Sequence, residues 1–498
     1  IFLNEEIPRQ TYKLCVQQNL SLVKFYYNNQ CKRYVKIDKP LTIYKNNGFE
    51  YLIKDSWKQK NYQHKTHLQD KTFVLALEHT RQQQIQLIQK LSRGQYFNKI
   101  LGMYTLTDKD TFTRSIQQQE QFFEQKMISQ KKFYAKTYLQ EQFGQFEKDY
   151  NPNNFYIAKP VKSYAGEGIV VSNNKTKLMK PDHIIQEYID DMLLYKNHKF
   201  DIRMYVLFTS IDPLIAYLHF PGFLRLAKSV YQKPTVENSN NNFIHLTNLH
   251  QAGPNNRAFK TDDQLEGVVN LDKFLKEVDS NQQDFNFAKR VTSKQLRENL
   301  IHVAEEVIVA NYPEILNEAL QKNYNLHLWP KQLFQIVGVD AYFDTNGNAK
   351  VFEVNRGPDL HITGQTIHTH KRKAVVDALN LFGIRWYKDK KGNVINPLFG
   401  KSHIDVPKNT VKEDFSTTME DLQNGKINIK KLTQIEKNCF KQIKEEGSRL
   451  GAYTRLKFEN HLDSFRNTSY LTRLLYQVLL QDQNQQQAVD NIASDDEI

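Results

Sequence analysis

Hydrophobic and polar residues alternate along KFDIRMYVLFT (Lys199–Thr209). Phe200, Ile202, Met204, Val206 and Phe208 fall on every second position, the period of a β-strand, so Asp201 and Arg203 are neighbours on the opposite face. Short β-rich runs follow one another from Phe155 to about Arg372: FYIAKP, GIVVS, HIIQEYI, PLIAYLHF and GFLRLA. Asn-rich loops such as ENSNNNF (Glu237–Phe243) separate them, and VDSNQQDFNF (Val278–Phe287) reads as a polar insertion. Helical spacing appears elsewhere. Ile85, Ile88 and Leu91 form one stripe ending near Gly94, Thr107 and Asp110 suggest a capping box, and Ser293–Tyr312 reads as an amphipathic helix opened by Ser293.

One segment, IVGVDAYFDTNGNAKVFEVN (Ile336–Asn355), predicts a hairpin. Asn346-Gly347 suits a two-residue loop because both central positions of a type I′ turn need positive φ. Thr345 then faces Asn348, and Asp340 lies directly opposite Glu353. Alternation sends Val339, Ala341, Phe343, Phe352 and Val354 to the core, and Asp340, Glu353 and Asn355 to the other face. Opposed Cβ atoms lie about 4.5–5.5 Å apart, where like charges repel. Either water screens the two acids on an exposed face or a cation sits between them. Two carboxylates beside a carboxamide are hard oxygen ligands of the kind Mg²⁺ takes together with nucleotide phosphates.

Length and charge narrow the partners. A chain of 498 residues, 40% hydrophobic, buries a sizeable core and fits two or three packed units. Its net charge of +13 favours an anionic partner, yet no nucleic-acid recognition motif accompanies it. Three scattered cysteines exclude a disulfide scaffold, and no apolar run is long enough to insert in a membrane. The boundaries expected are an N-terminal and linker α/β region at 1–150, a central unit at 151–380, a basic helical extension at 381–480 and a disordered tail at 481–498.

Several local patterns have two readings. Asp201/Arg203 is a surface ion pair or part of a site, and Arg225 in GFLRLA either snorkels to solvent or presents its fork to a carboxylate or phosphate. Lys159 ends a strand before a loop carrying Gly166 and Gly168, whose backbone could approach a phosphate or simply turn. Gln186 and Glu187 interrupt an apolar strand, and HLTN (His245–Asn248) is a cluster of hydrogen-bonding side chains.

The order of these patterns is more specific than any one of them. Lysine and glycine loop, QEYI, KFDIR, the arginine strand, HLTN and Asp…Glu-x-Asn together resemble the tubulin tyrosine ligase-like family, whose core is an ATP-grasp fold. The resemblance runs from about Ser92 to Leu381, through LTDKD (Leu106–Asp110), FYAKTYLQEQFGQF (Phe133–Phe146) and KRKAVVDALNL (Lys371–Leu381). EEGSRLGAYTRL (Glu445–Leu456) adds a short motif beyond it. The fold implied is α/β (α+β): antiparallel sheets with flanking helices, a smaller α/β domain before them and a helical extension after.

By that resemblance, ATP and Mg²⁺ are the cofactors. Lys109, Lys159, Lys199, Gly166 and Gly168 would meet the nucleotide, and Gln186 and Tyr188 would hold the adenine. Asp201 would lie near the ribose, with His245, Thr247 and Asn248 at the phosphate end. Asp340, Glu353 and Asn355 would hold Mg²⁺, while Arg203 and Arg225 would handle carboxylates and developing charge. The activity implied is ATP-dependent ligation of an amino acid, glutamate first, to tubulin carboxylates through an acyl phosphate. A glycylase, a tyrosine ligase and an inactive axonemal structural protein are the alternatives. The partners implied are tubulin C-terminal tails and microtubules, and the location cytoplasmic and cytoskeletal, at a cilium or basal body. Lys371–Lys373, Arg385–Gly392 and Asn428–Leu432 are candidate attractors for the acidic tails. Arg356 and His361 are unusual neighbours of the amino-acid pocket and leave the added amino acid open.

Overall fold

A computed structural model describes residues 96–128, 132–163, 166–247, 260–321, 331–358, 365–383 and 415–481, with short elements at 14–16, 23–25, 43–44, 73–74, 81–89, 387–388 and 394–395. In the N-terminal region, Ile43–Tyr44, Phe73–Val74 and Tyr96–Phe97 pair in parallel. Leu14–Val16 pairs with Val23–Phe25 and Tyr387–Lys388 with Val394–Ile395 in two short antiparallel ribbons, and two larger antiparallel sheets hold the rest of the described β-structure, so the chain is α+β.

The smaller sheet contains β1 (Thr137–Tyr138), β2 (Tyr156–Pro160), β3 (Val170–Ser172) and β4 (His183–Glu187), in the order β1-β4-β2-β3. Tyr138, Phe146, Tyr156, Ala158, Leu178 and Ile185 make its own apolar cluster. The larger sheet contains β5 (Phe200–Ile211), β6 (Leu214–Leu226), β7 (Val268–Asn270), β8 (Gln335–Phe343) and β9 (Ala349–Asn355), in the order β7-β6-β5-β8-β9. Every residue of β5 is buried, so both faces of this strand are covered, and its polar side chains had to find partners inside the protein.

Helices α1 (Lys109–Lys126), α2 (Leu271–Ser280), α3 (Ser293–Leu320) and α4 (Gln365–Phe382) surround these sheets. Two starts differ from expectation by one residue. Asp108 precedes α1 without a side-chain cap, because the Thr107 hydroxyl donates back to Met103 and Tyr104 carbonyls. Thr292, not Ser293, caps α3 in a capping box with Gln295. Helix α3 also continues through Pro313 to Leu320. The VDSNQQDFNF segment is more ordered than an insertion: Val278 is buried in α2, and Phe285 and Phe287 pack on the core.

The C-terminal region is more than a helical extension. Besides α5 (Gln434–Gly447) and α6 (Tyr470–Gln481), it supplies β10 (Tyr453–Arg455), which pairs with Tyr217–His219 of β6. From α5 the buried Glu446 accepts hydrogen bonds from Thr209 at 2.9 Å and Tyr217 at 2.7 Å. The expected tail lies outside the described residues, save Gln481, as does the Arg385–Gly392 basic segment, save strand residues Tyr387–Lys388. In the Lys371–Lys373 run Lys371 is buried, and Arg372 and Lys373 are half-buried. Among the described residues no helix is long and apolar enough to cross a membrane.

Candidate active site

The site residues project from facing rows of the larger sheet. Cross-strand pairs Arg225–Asp201, Arg203–Asp340 and Asp340–Glu353 place charges of alternating sign side by side, until the two acids meet. Asp340 does face Glu353, but for two reasons that cancel. The turn is a three-residue loop, with Asp344 N–H donating to the Asn348 carbonyl at 3.0 Å and Gly347 at φ +78°. A bulge then puts both Phe352 and Glu353 against the step between Asp340 and Ala341, restoring the register. Phe352 therefore leaves the core face. It stacks on Tyr342 at 4.4 Å between ring centroids, and Val351 fills the core in its place.

Asp340 also has protein partners that the local sequence pattern did not suggest. Arg203 grips Asp340 with Nε and with Nη2, the latter at 2.8 Å, and Arg225 Nη2 reaches the same carboxylate at 2.9 Å. Burial alone would raise the Asp340 pKa, but the two guanidinium groups outweigh it and hold the carboxyl at about 2. Arg225 also binds Asp201 through two hydrogen bonds of 2.7 Å. Burial and the Asp340 charge push Asp201 upward against that pairing, and Thr247 adds a 2.6 Å hydrogen bond to its Oδ2. Asp201 and Arg203 are thus neighbours on the strand, each paired across it. Asn355 Nδ2 donates to Asp340 at 3.0 Å and Glu353 at 3.3 Å, so its amide must turn over before its oxygen could meet a cation. Glu353 is the least committed acid, its side chain 34% exposed and its Oε2 4.0 Å from Lys109 Nζ.

The smaller sheet brings Lys159, and Lys199 immediately precedes β5 of the larger sheet. Lys159, at the end of β2, is buried, lies 5.9 Å from the Phe352 ring centroid and donates to Gln186 Oε1 at 2.8 Å. Burial lowers its pKa to about 8 against the pull of Glu353. Lys199 lies 4.1 Å over the Tyr188 ring and donates to the Ile189 carbonyl at 3.3 Å; burial and Lys159 lower it to about 7. Among the described residues, neither ammonium forms an ion pair with a carboxylate. Two buried cations donating only to neutral oxygens are the chemistry expected where an anion is to be received. The residues therefore fit a polyphosphate, and the two carboxylates with Asn355 fit a hard divalent cation.

Gln186 has its side chain engaged: besides accepting from Lys159, its amide donates to Thr137 at 2.8 Å. The backbone N–H groups of Glu187 and Tyr188 go to the carbonyls of Lys136 and Phe155. Tyr188 donates its hydroxyl to His245 Nδ1 at 2.7 Å, which leaves Nε2–H to donate to the Asn238 carbonyl at 3.2 Å. Burial and Lys199 lower the His245 pKa to about 4, so this imidazole is neutral at pH 7. Lys109 opens α1 and donates to the Ser163 carbonyl at 3.2 Å. Gly166 and Gly168 hold φ of +79° and +73°, and a Cβ at Gly168 would lie 2.9 Å from Pro160 Cγ. Asn248 and His361 lie outside the described residues.

Two contributors were not singled out for the site from sequence: Thr137, which holds Gln186, and Phe352, beside Lys159; a third polar side chain, Lys99, is buried nearer Arg356. Its pKa is lowered to about 8 by burial and by Arg356. A lysine inside the apolar run YFNKIL was its available signal.

A model of the tubulin-tyrosine ligase family matches residues 53–393. The chain is 27% identical over 391 residues to a tubulin polyglutamylase TTLL7 of Xenopus tropicalis, covering 74% of this chain and 41% of that protein. A probable beta-tubulin polyglutamylase of Tetrahymena thermophila is 26% identical over 59% of this chain and 24% of its own length. A tubulin monoglutamylase TTLL4 of Mus musculus is 27% identical over 58% and 24%. The chain thus spans less than half the length of these curated relatives.

Proposed function

From the premise that this chain belongs to the tubulin-tyrosine ligase family, we propose that it is an ATP-dependent ligase joining glutamate to carboxylates of tubulin. The activity these relatives are named for, glutamylation of tubulin, supports glutamate over glycine or tyrosine. The observation that carries the reading is the placement of Lys159 and Lys199, buried and without a carboxylate partner among the described residues, beside the acids and arginines of the larger sheet.

In the proposed reaction an acceptor carboxylate oxygen attacks the γ-phosphorus of ATP and ADP leaves, giving an acyl phosphate. The amine of free glutamate then attacks the acyl carbon, phosphate departs with the former acyl oxygen, and the amine gives up a proton. Lys159 and Lys199 neutralise phosphate oxygens, their ammonium forms favoured once the anion is present. Arg203 and Arg225 are held in place by Asp340 and Asp201, oriented to meet carboxylate and phosphoryl charge as it develops. Glu353, with Asn355 and Asp340, would hold Mg²⁺, which when bound draws charge from the phosphate oxygens. Thr247 and the Tyr188–His245 pair fix the Asp201 and Lys199 walls of the cleft. Positioning and charge neutralisation, not covalent participation by the protein, supply the rate. The acceptor fits the chain's net charge of +13, and the proposed place of action is the microtubule cytoskeleton, cilia included.

The test is incubation with ATP, Mg²⁺, tubulin and labelled glutamate, glycine or tyrosine in separate reactions, beside Glu353→Gln. Glutamate label on tubulin that disappears in the variant is expected. Tubulin binding with no transfer from any donor would instead identify an inactive microtubule-binding protein.

A further inference from the structure

Away from the cleft, two imidazoles converge on one carboxylate. His302 and Glu305 lie one turn apart on α3, and His461 comes from the 3₁₀ segment Phe458–Ser464 of the C-terminal region. His461 Nε2 is 3.0 Å from Glu305 Oε2, and His302 Nδ1 is 4.0 Å from the same oxygen. The two rings stack with centroids 5.2 Å apart and planes 26° apart. One ligand atom from each of the three residues lies within 4.8 Å of the other two.

The neighbouring contacts leave these atoms facing inward. Glu305 is buried, and its other oxygen, Oε1, accepts the Lys457 backbone N–H at 2.6 Å, which fixes the carboxylate with Oε2 toward the histidines. His302 turns its remaining nitrogen, Nε2, to Glu306 Oε1 at 3.5 Å. A carboxylate behind the distal nitrogen of an imidazole is the usual outer support of a metal-ligating histidine.

We propose that His302 Nδ1, Glu305 Oε2 and His461 Nε2 form a binding site for a divalent transition metal, zinc foremost, with Glu306 orienting His302. Two imidazoles and one carboxylate are a donor set that tetrahedral zinc takes, with the fourth position left to water. Bonds of about 2.0–2.1 Å put tetrahedral ligand atoms ~3.3 Å apart. The His461–Glu305 spacing already meets that, and His302, exposed on the helix surface, closes the remaining gap by a rotation of its side chain. On binding, His461 moves its proton to Nδ1 and presents the Nε2 lone pair. The ion joins the long helix to the segment that also delivers β10 to the larger sheet, so it staples the C-terminal region to the core.

The full chain is stripped with chelator and titrated with Zn²⁺ in the absence of Mg²⁺ and nucleotide, beside His302→Ala, Glu306→Gln and Glu353→Gln. His302 is a surface side chain, so its truncation spares the fold. Expected are one more zinc retained per wild-type chain than per His302→Ala, and a rise in Tm with zinc that the variant lacks. Zinc affinity falls about 10- to 100-fold in Glu306→Gln. Zinc uptake is unchanged in Glu353→Gln, which separates this site from the cleft. Equal zinc retention by wild type and His302→Ala, or no zinc-dependent Tm change in the wild type, overturns the proposal.

Discussion

Nucleotide binding should draw protons from solution, and the two buried lysines set how many. At pH 8, Lys159, lowered to about 8, is half protonated, and Lys199, lowered to about 7, is roughly one-tenth protonated. A phosphate chain beside them favours the charged forms and returns both to full protonation. The uptake is then about 0.5 proton at Lys159 and about 0.9 at Lys199, near 1.4 per nucleotide. At pH 6.5 both lysines are already mostly charged, and uptake falls to about 0.3. Because protons are taken up, affinity weakens as pH rises, roughly 20-fold between pH 7.5 and 8.5. Titration calorimetry of a Mg²⁺-bound non-hydrolysable ATP analogue, in buffers of different ionisation enthalpy, reads the proton number directly. Lys199→Met removes the larger share. A proton number near zero at pH 8 in the wild type, or one left intact by Lys199→Met, refutes the assignment of these lysines to the nucleotide.

Three further outcomes follow from packing and charge. Asp340→Asn leaves Arg203 and Arg225 short of a buried anion and lowers stability by about 3–5 kcal/mol; an unchanged urea midpoint would contradict the clamp. In the wild type, the stability owed to Asp340 is present above pH 4 and fades as pH falls through about 2. Glu446 has the opposite sign: burial raises it to about 7, so its contribution is complete below about pH 4.5 and fades as pH rises through 7. Glu446→Gln, neutral throughout, should therefore gain Tm over wild type at pH 8.5 relative to pH 5.5, and a pH-independent difference argues against it. Gly347→Ala meets both a positive φ and Val291 Cγ1 at 2.9 Å, and loses about 1–3 kcal/mol by thermal unfolding; equal Tm values would mean the turn relaxes freely.

What could be read from sequence was what local spacing controls. Alternation along Phe200–Phe208 identified β5, and the Asn-Gly pair located the hairpin tip. The partners of Asp201 and Arg203 were beyond reach, because they come from β6 and β8, and cross-strand register is not a local property. The same limit hid the arginine partners of Asp340. Phe352 was sent to the core because a strict period of two contains no bulge. Ser293 was preferred to Thr292 because both are good caps, and the choice rests on Asp279, which binds the Ser293 hydroxyl and backbone from another helix. Family likeness came from the succession of motifs, which survives errors of one residue in any of them.

The bulge at Phe352 has a consequence for how this hairpin tolerates change. It stands between the tip and the end bearing Glu353 and Asn355, so the parity of the two ends is set independently. Residues gained or lost at the tip need not rotate the acid and amide away from the cleft, provided the irregularity beside them adjusts by the same count. The inner half of the hairpin thereby keeps its aim even where the count of residues beyond the bulge changes.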